Sequence, residues 1–168
     1  MRKNSHFLVR AALIAAMYAA LTHLQNLLVP NSASWAIQFR ASEALCILAF
    51  FTPAAIPGLT VGCFVFNLTN AAALPLDILV GSAASMLSAA AMWLLRNVKI
   101  KSCPVLGLTM PALFNALLVG WELTVYIGGG FALNAVYVAI GEAAVLFTLG
   151  IALYYAMLSR HLDKRLFP

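Results

Sequence analysis

Apolar residues run along this chain in long blocks without the alternation of a half-buried strand, and the polar residues between them mark the ends of bilayer-length segments. The blocks cover Phe7 to Val29, Ser42 to Asn70, Leu76 to Leu95, Val105 to Tyr126 and Leu133 to Leu158. Pro53, Pro57 and Gly58 split the second block, because proline withdraws backbone donors and glycine permits a turn. The pattern therefore predicts six helical spans in a single membrane domain over residues 1–168. The second and third are short, as expected for a tilted or partly re-entrant helix buried in protein. A polar loop, Pro30 to Arg40, separates the first two. Met1 to Lys3 ahead of an apolar run imitates a signal peptide, but no small-residue cleavage pattern follows, so this run is read as the first span.

Composition strengthens the membrane reading. Of 168 residues, 64% are hydrophobic and 9% charged, too few to clothe a water-soluble domain in polar surface. The fold class expected is an all-α polytopic bundle of about six transmembrane helices in the cell membrane. The basic residues set its orientation: Arg2, Lys3 and Arg10 at the start, Arg96, Lys99 and Lys101 between spans four and five, and Arg160, Lys164 and Arg165 at the tail. With six spans all three clusters fall on one side, which the positive-inside rule makes cytoplasmic, with both termini. The basic balance thus reflects topology, and no nucleic-acid partner is expected.

The remaining charges fall on the outer side, where Glu43, Asp77, Glu122 and Glu142 meet only one basic residue, Arg40. A formal excess of three negative charges favours a cationic or donor-rich ligand. Charges inside membrane segments are costly and mark functional positions by default. Asn115, Glu122 and Tyr126 follow at spacings of seven and four on one face of span five, and Asn134 and Glu142 share a face of span six. The bland alternative is that these side chains bond one another across helices. Arg40 and Glu43 are spaced to pair across a helical turn or to hold a gate. Gln38 and Phe39 offer an amide and a flat ring to a heterocycle, or an interfacial anchor. Asn67 is a candidate pocket residue, while Asp77 is explained by the helix N-terminus it opens. His23, Gln25 and Asn26 suit a helix interface. Cys46, Cys63 and Cys103 are too far apart for a paired metal motif and are read as packing residues; no metal or cofactor is expected.

Small residues recur every fourth position. Span one carries two ridges, Ala11, Ala15 and Ala19, and Ala12, Ala16 and Ala20, which let another helix approach closely. Gly58 and Gly62, and Gly81, Ser85 and Ala89, repeat the spacing in spans three and four, where internal packing is expected.

The run from Gln38 to Gly62, with Phe39-Arg40-Ala41-Ser42-Glu43-Ala44-Leu45 followed by Phe50-Phe51-Thr52-Pro53-Ala54-Ala55-Ile56-Pro57-Gly58, resembles the QueT family. The likeness continues through Leu76 to Gly81, Leu113 to Glu122 and Gly141-Glu142, and departs at Ala49, where the family often has proline. These are substrate-binding subunits, or S components, of energy-coupling factor transporters, proposed to take queuosine precursors. The resemblance implies a six-helix protein with cytoplasmic termini that captures a 7-deazaguanine-type base. Its aminomethyl and cyano forms and queuine all remain open. It also implies two kinds of partner, a membrane coupling subunit docked on the span-one alanines and a pair of cytosolic ATPases. The chain has no GxxxxGK[ST] phosphate loop of its own. On this reading Glu43, Asn67, Asn115, Glu122, Tyr126, Glu142, Gln38 and Phe39 bind the base and Arg40 gates it.

Two rivals differ in class. An intramembrane enzyme lacks a paired-histidine motif or a nucleophile beside a base. A stand-alone proton-coupled transporter working through Glu122 and Glu142 lacks visible half-repeats.

Overall fold

A computed structural model describes residues 2–30, 32 and 39–167. Helix α1, Arg2–Leu28, runs without an internal Gly or Pro and stops two residues before Pro30, as the clash of a proline ring with the residue before it requires. The split apolar block becomes a 3₁₀ segment, Ala41–Phe50, and helix α2, Ala55–Thr69. Between them Phe51 and Thr52 both donate to the Leu48 carbonyl at 3.0 Å. Pro57 sits in the first turn of α2, where its missing N–H breaks no helical bond. Helix α3 is Asp77–Leu95, the short α4 is Val105–Leu108, and α5 is Met110–Tyr126 with Pro111 at its second position. The last span, Phe131–Ser159, comprises α6 (Phe131–Val145), a π-helical turn (Leu146–Gly150) and α7 (Ile151–Ser159), and is followed by the short α8, Leu162–Leu166.

The all-α bundle is as expected, and the second and third apolar segments are short, as the sequence predicts. Among the described residues four helical segments are long and apolar enough to cross a membrane: Asn4–Leu28, Asp77–Leu95, Val105–Tyr126 and Phe131–Ser159. The 3₁₀ segment, 10 residues long, rises about 20 Å at ~2.0 Å per residue. The 15 residues of α2 rise about 22 Å at ~1.5 Å per residue. Neither reaches the roughly 30 Å of a hydrocarbon core. The 3₁₀ segment instead runs inside the protein: Ser42 through Phe50 are all buried, against α1, α2, α3, α6, the π turn and α7. A short helix at membrane depth is tolerated when protein surrounds it.

Neighbouring helices approach through small residues, as the spacing predicted for α2 and α3. A Cβ on Gly58 would lie 2.8 Å from Ile14 Cβ, and one on Gly62 would lie 2.7 Å from Tyr18 Cβ and 2.9 Å from the Ala15 carbonyl. The first ridge of α1 is therefore an internal seam with α2. Gly120 makes the same approach to the Ala135 backbone, joining α5 to α6. Gly128, Gly129 and Gly130 connect those two helices at φ of +85°, +83° and +87°, where a Cβ would be strained. Because the clash at Gly62 is with backbone, Gly62→Val is expected to destabilise the protein by about 1–3 kcal/mol or more, read as a lower melting temperature of the detergent-solubilised chain. An unchanged melting temperature would mean that the α1–α2 contact is looser than drawn.

The basic clusters share one end of the bundle. Arg10 lies 5.6 Å over the Phe167 ring, joining the start of α1 to the tail. Arg96, Lys99 and Asp163 line a common cavity. At the other end His23 bonds Thr69 at 2.9 Å and Asn26 donates to Asn70 at 3.5 Å, so both serve the interface expected of them.

Candidate functional site

The site is built around the start of the 3₁₀ segment. Gln25, near the outer end of α1, accepts the Ala41 N–H at 2.6 Å and donates to Ser32 Oγ at 2.9 Å and to the Phe39 carbonyl. One side chain thereby satisfies an otherwise unpaired N–H at the start of a helix and pins the chain that enters it. Thr22 and Ser42, both buried, share a 2.6 Å hydrogen bond that ties the same turn to α1.

Arg40 and Glu43 then point inward. Arg40 is only 6% exposed, although the sequence placed it in the outer loop. Its guanidinium donates to Cys63 Sγ at 3.9 Å and lies 5.6 Å over the Phe66 ring. The physical reason is charge, since an Arg among buried acids is held in the interior by attraction that outweighs its desolvation. Glu43 is also buried, accepting from the Tyr18 hydroxyl on one oxygen and from Cys46 Sγ at 3.1 Å on the other.

The other acids converge on Arg40. Asp77, at the start of α3, is buried; its carboxylate accepts the Leu74 N–H at 2.7 Å, in keeping with its expected place at a helix N-terminus. It is also within electrostatic range of Arg40 and Glu122, which the sequence alone did not suggest. Glu142 on α6 interacts with Glu43 and Arg40. Four acids from four elements therefore lie within electrostatic range of one guanidinium.

What distinguishes this group is unmet hydrogen-bonding capacity. Of the buried side-chain polar atoms without a partner among the described residues, four belong here, Asn67 Oδ1, both Glu122 oxygens and Glu142 Oε2, and a fifth, Asn115 Nδ2, lies two turns from Glu122 on the same face of α5. Glu122 is wholly buried with Asp77 in hydrogen-bond reach, so the two carboxyl groups can pair only when one of them holds a proton. Asn67 spends its amide N–H groups on the Asp77 carbonyl at 2.8 Å and on Cys63 Sγ at 3.5 Å, leaving its oxygen unbonded. Buried polar atoms are nearly always paired, so such a set marks a place where a partner belongs.

Other predicted residues fall elsewhere. Tyr126 shares the angular face of Asn115 and Glu122 but lies at the last turn of α5, where neighbours no longer cover it, and is 42% exposed. Phe39 is 45% exposed and joins the structure through its backbone. Gln38 lies outside the described residues. Asn134 donates to Thr124 at 3.1 Å and to the Gly128 carbonyl at 2.8 Å, bracing the α5–α6 turn. The α1 ridges separate: Ala11, Ala15 and Ala19 face α2, whereas Ala12, Ala16 and Ala20 are exposed. Sequence reasoning missed Tyr18, Cys46 and Cys63 as partners of the charged group. A lone tyrosine in an alanine-rich span was the available signal, because a buried phenol needs an acceptor.

The family model described as QueT transporter matches residues 8–159, nearly the whole chain. The chain belongs to the QueT transporter family. Its long apolar helices agree with a multi-pass cell-membrane protein of such a family. Neither the curated proteins nor the solved structures compared with the chain give a match. Within the QueT match lie the unpartnered atoms of Asn67, Asn115, Glu122 and Glu142, together with Arg40, Glu43 and Asp77.

Proposed function

We propose that this QueT-family chain is the substrate-binding subunit of an energy-coupling factor importer and that it captures a 7-deazaguanine-type queuosine precursor from outside the cell. The observation that carries the reading is the set of five unpaired buried atoms. Four are acceptors and one, Asn115 Nδ2, is a donor, so a fitting ligand is rich in N–H groups and carries one carbonyl. A 7-deazaguanine has that complement, with adjacent ring and exocyclic N–H groups on one edge, a pyrrole N–H and a ring carbonyl. Glu122 reads the two-donor edge and Asn115 the carbonyl, while Glu142 and Asn67 take the remaining donors. Four acids against one Arg favour the aminomethyl form, whose ammonium offsets part of the negative excess. Ligand-binding energy alone drives no uphill transport. The chain's lack of a phosphate loop supports a separate coupling subunit and ATPase pair.

Calorimetry of the purified chain with 7-deazaguanines, purines and pterins tests the reading. The aminomethyl base is expected to bind tightest, and failure of every 7-deazaguanine to bind refutes it. Co-purification with an ATPase pair supports the importer, whereas transport by the isolated chain in liposomes would favour a secondary transporter.

Arg40 is the gate in this reading, since it contacts α2 through Cys63 and Phe66 and interacts with acids on α3, α5 and α6. Arg40→Lys keeps the charge but loses the planar fork, so it is expected to fold while releasing ligand at a different rate. Stopped-flow dissociation identical to wild type, with unchanged transport, removes the gate.

A further inference from the structure

At the opposite end of the 3₁₀ segment, remote from the acid cluster, Phe50 and Phe51 border a cavity of about 290 Å³, near the lower limit of ligand-binding pockets. Arg96 and Lys99 line it from the loop after α3, and Asp163 lines it from α8. Asp163 Oδ1 is buried there without a hydrogen-bond partner. Arg96 is held flat, 3.8 Å over the Trp93 ring, by a 2.6 Å bond to the Trp93 carbonyl. Among the described residues no carboxylate is paired with it, although Asp163 shares its cavity. Tyr154 is buried between Phe50 at 5.8 Å and Phe51 at 5.5 Å, giving the cavity a fixed aromatic wall.

Oppositely charged groups that face one cavity without pairing suit a ligand that carries both signs itself. The surroundings say where such a ligand comes from. Leu94, beside Trp93, is 74% exposed on a membrane-spanning helix, whereas Asn97 and Lys99 a turn later are polar and exposed, so the cavity opens where apolar surface gives way to charge. Trp and Tyr are the side chains favoured at that depth.

We propose that this cavity binds the headgroup of an aminophospholipid in the leaflet on the basic side of the bundle. The phosphate diester is held by Arg96 and Lys99, through charge-assisted bonds suited to a guanidinium, and the primary ammonium donates to the Asp163 carboxylate that lines the cavity. The acyl chains leave along the exposed apolar face of α3. A choline headgroup has no N–H to give Asp163, and a glycerol headgroup has no positive charge, so phosphatidylethanolamine is selected over both. The proposal does not rest on the base-binding reading.

The test is native mass spectrometry of the purified full chain with phosphatidylethanolamine, phosphatidylcholine and phosphatidylglycerol of matched acyl chains. Phosphatidylethanolamine is expected to bind about tenfold tighter than the other two. Asp163→Asn should abolish that preference while leaving phosphatidylglycerol binding unchanged, and Arg96→Ala should weaken all three. Asp163→Glu restoring the preference would tie it to the carboxylate. Equal binding of the three lipids, or a preference that survives Asp163→Asn, overturns the proposal. Soluble phosphoethanolamine competing as strongly as the lipid would also overturn it, by assigning the cavity to a free metabolite. Folding of each variant is checked by melting temperature, with Lys164→Ala, an exposed neighbour outside the cavity, as the surface control.

Discussion

Glu122→Gln is expected to weaken binding of an aminomethyl 7-deazaguanine at least about tenfold, or about 1.4 kcal/mol, while the ligand-free protein melts no lower than wild type. Both effects follow from one fact, the complete burial of two carboxylate oxygens without a donor. In the complex proposed above the carboxylate would accept two parallel N–H bonds, and charge-assisted bonds of that kind contribute roughly 1.5–3 kcal/mol each. Glutamine keeps the shape but turns one acceptor into a donor that faces the donors of the base. Without ligand an amide is no more costly to bury than the carboxyl group it replaces, since a buried acid with no donor sheds its charge by holding a proton. The contrast gives the test its strength, since a residue needed only for packing would lose stability and affinity together. Glu142→Gln is expected to act in the same direction but less strongly, because only Oε2 of Glu142 is without a partner. Calorimetry and thermal melting on the same preparations decide the matter. Wild-type affinity in both variants would show that the acids are structural and that the base-recognition model is wrong.

If the importer reading holds, Ala16→Trp is expected to abolish assembly with the proposed coupling subunit and transport while leaving base binding by the isolated chain within about twofold, less than roughly half a kcal/mol. Ala12, Ala16 and Ala20 are exposed on a long helix whose other ridge is already occupied by α2. A flat methyl-sized strip admits a second helix closely, and an indole there holds the two axes apart. Ala15→Trp provides the contrast. Ala15 Cα lies 3.2 Å from the Cβ position of Gly62, so bulk there is expected to unfold the chain and remove binding along with assembly. Pull-down with the coupling subunit and ligand calorimetry separate the outcomes. If Ala16→Trp assembles normally, the exposed ridge faces lipid and docking lies elsewhere.

These tests mark the line between the information carried along the chain and that created by folding. Unbroken apolar blocks and the positions of Pro30, Pro53 and Pro57 determined that the chain is an all-α membrane bundle and where its helices break, because hydrogen-bond loss at proline and the need to satisfy every backbone group in lipid are local effects. The acids stood out for an equally local reason, the cost of charge in an apolar segment. Periodicity also placed Asn115 and Glu122 on one face of α5. It gave Tyr126 the same angle, yet only the length of the neighbouring helices decides that its turn is uncovered. Angular position along a helix is written in the sequence, whereas depth depends on what packs beside it. For the same reason two alanine ridges of identical spacing parted, one against the glycines of α2 and one to the outside. Arg40 turned inward because acids from distant segments gather around it, and the Tyr18 and Cys46 bonds to Glu43 join residues that no motif connects. The distinction between a satisfied acid such as Glu43 and an unsatisfied one such as Glu122 belongs to tertiary structure alone, since it depends on which donors from other helices come within reach.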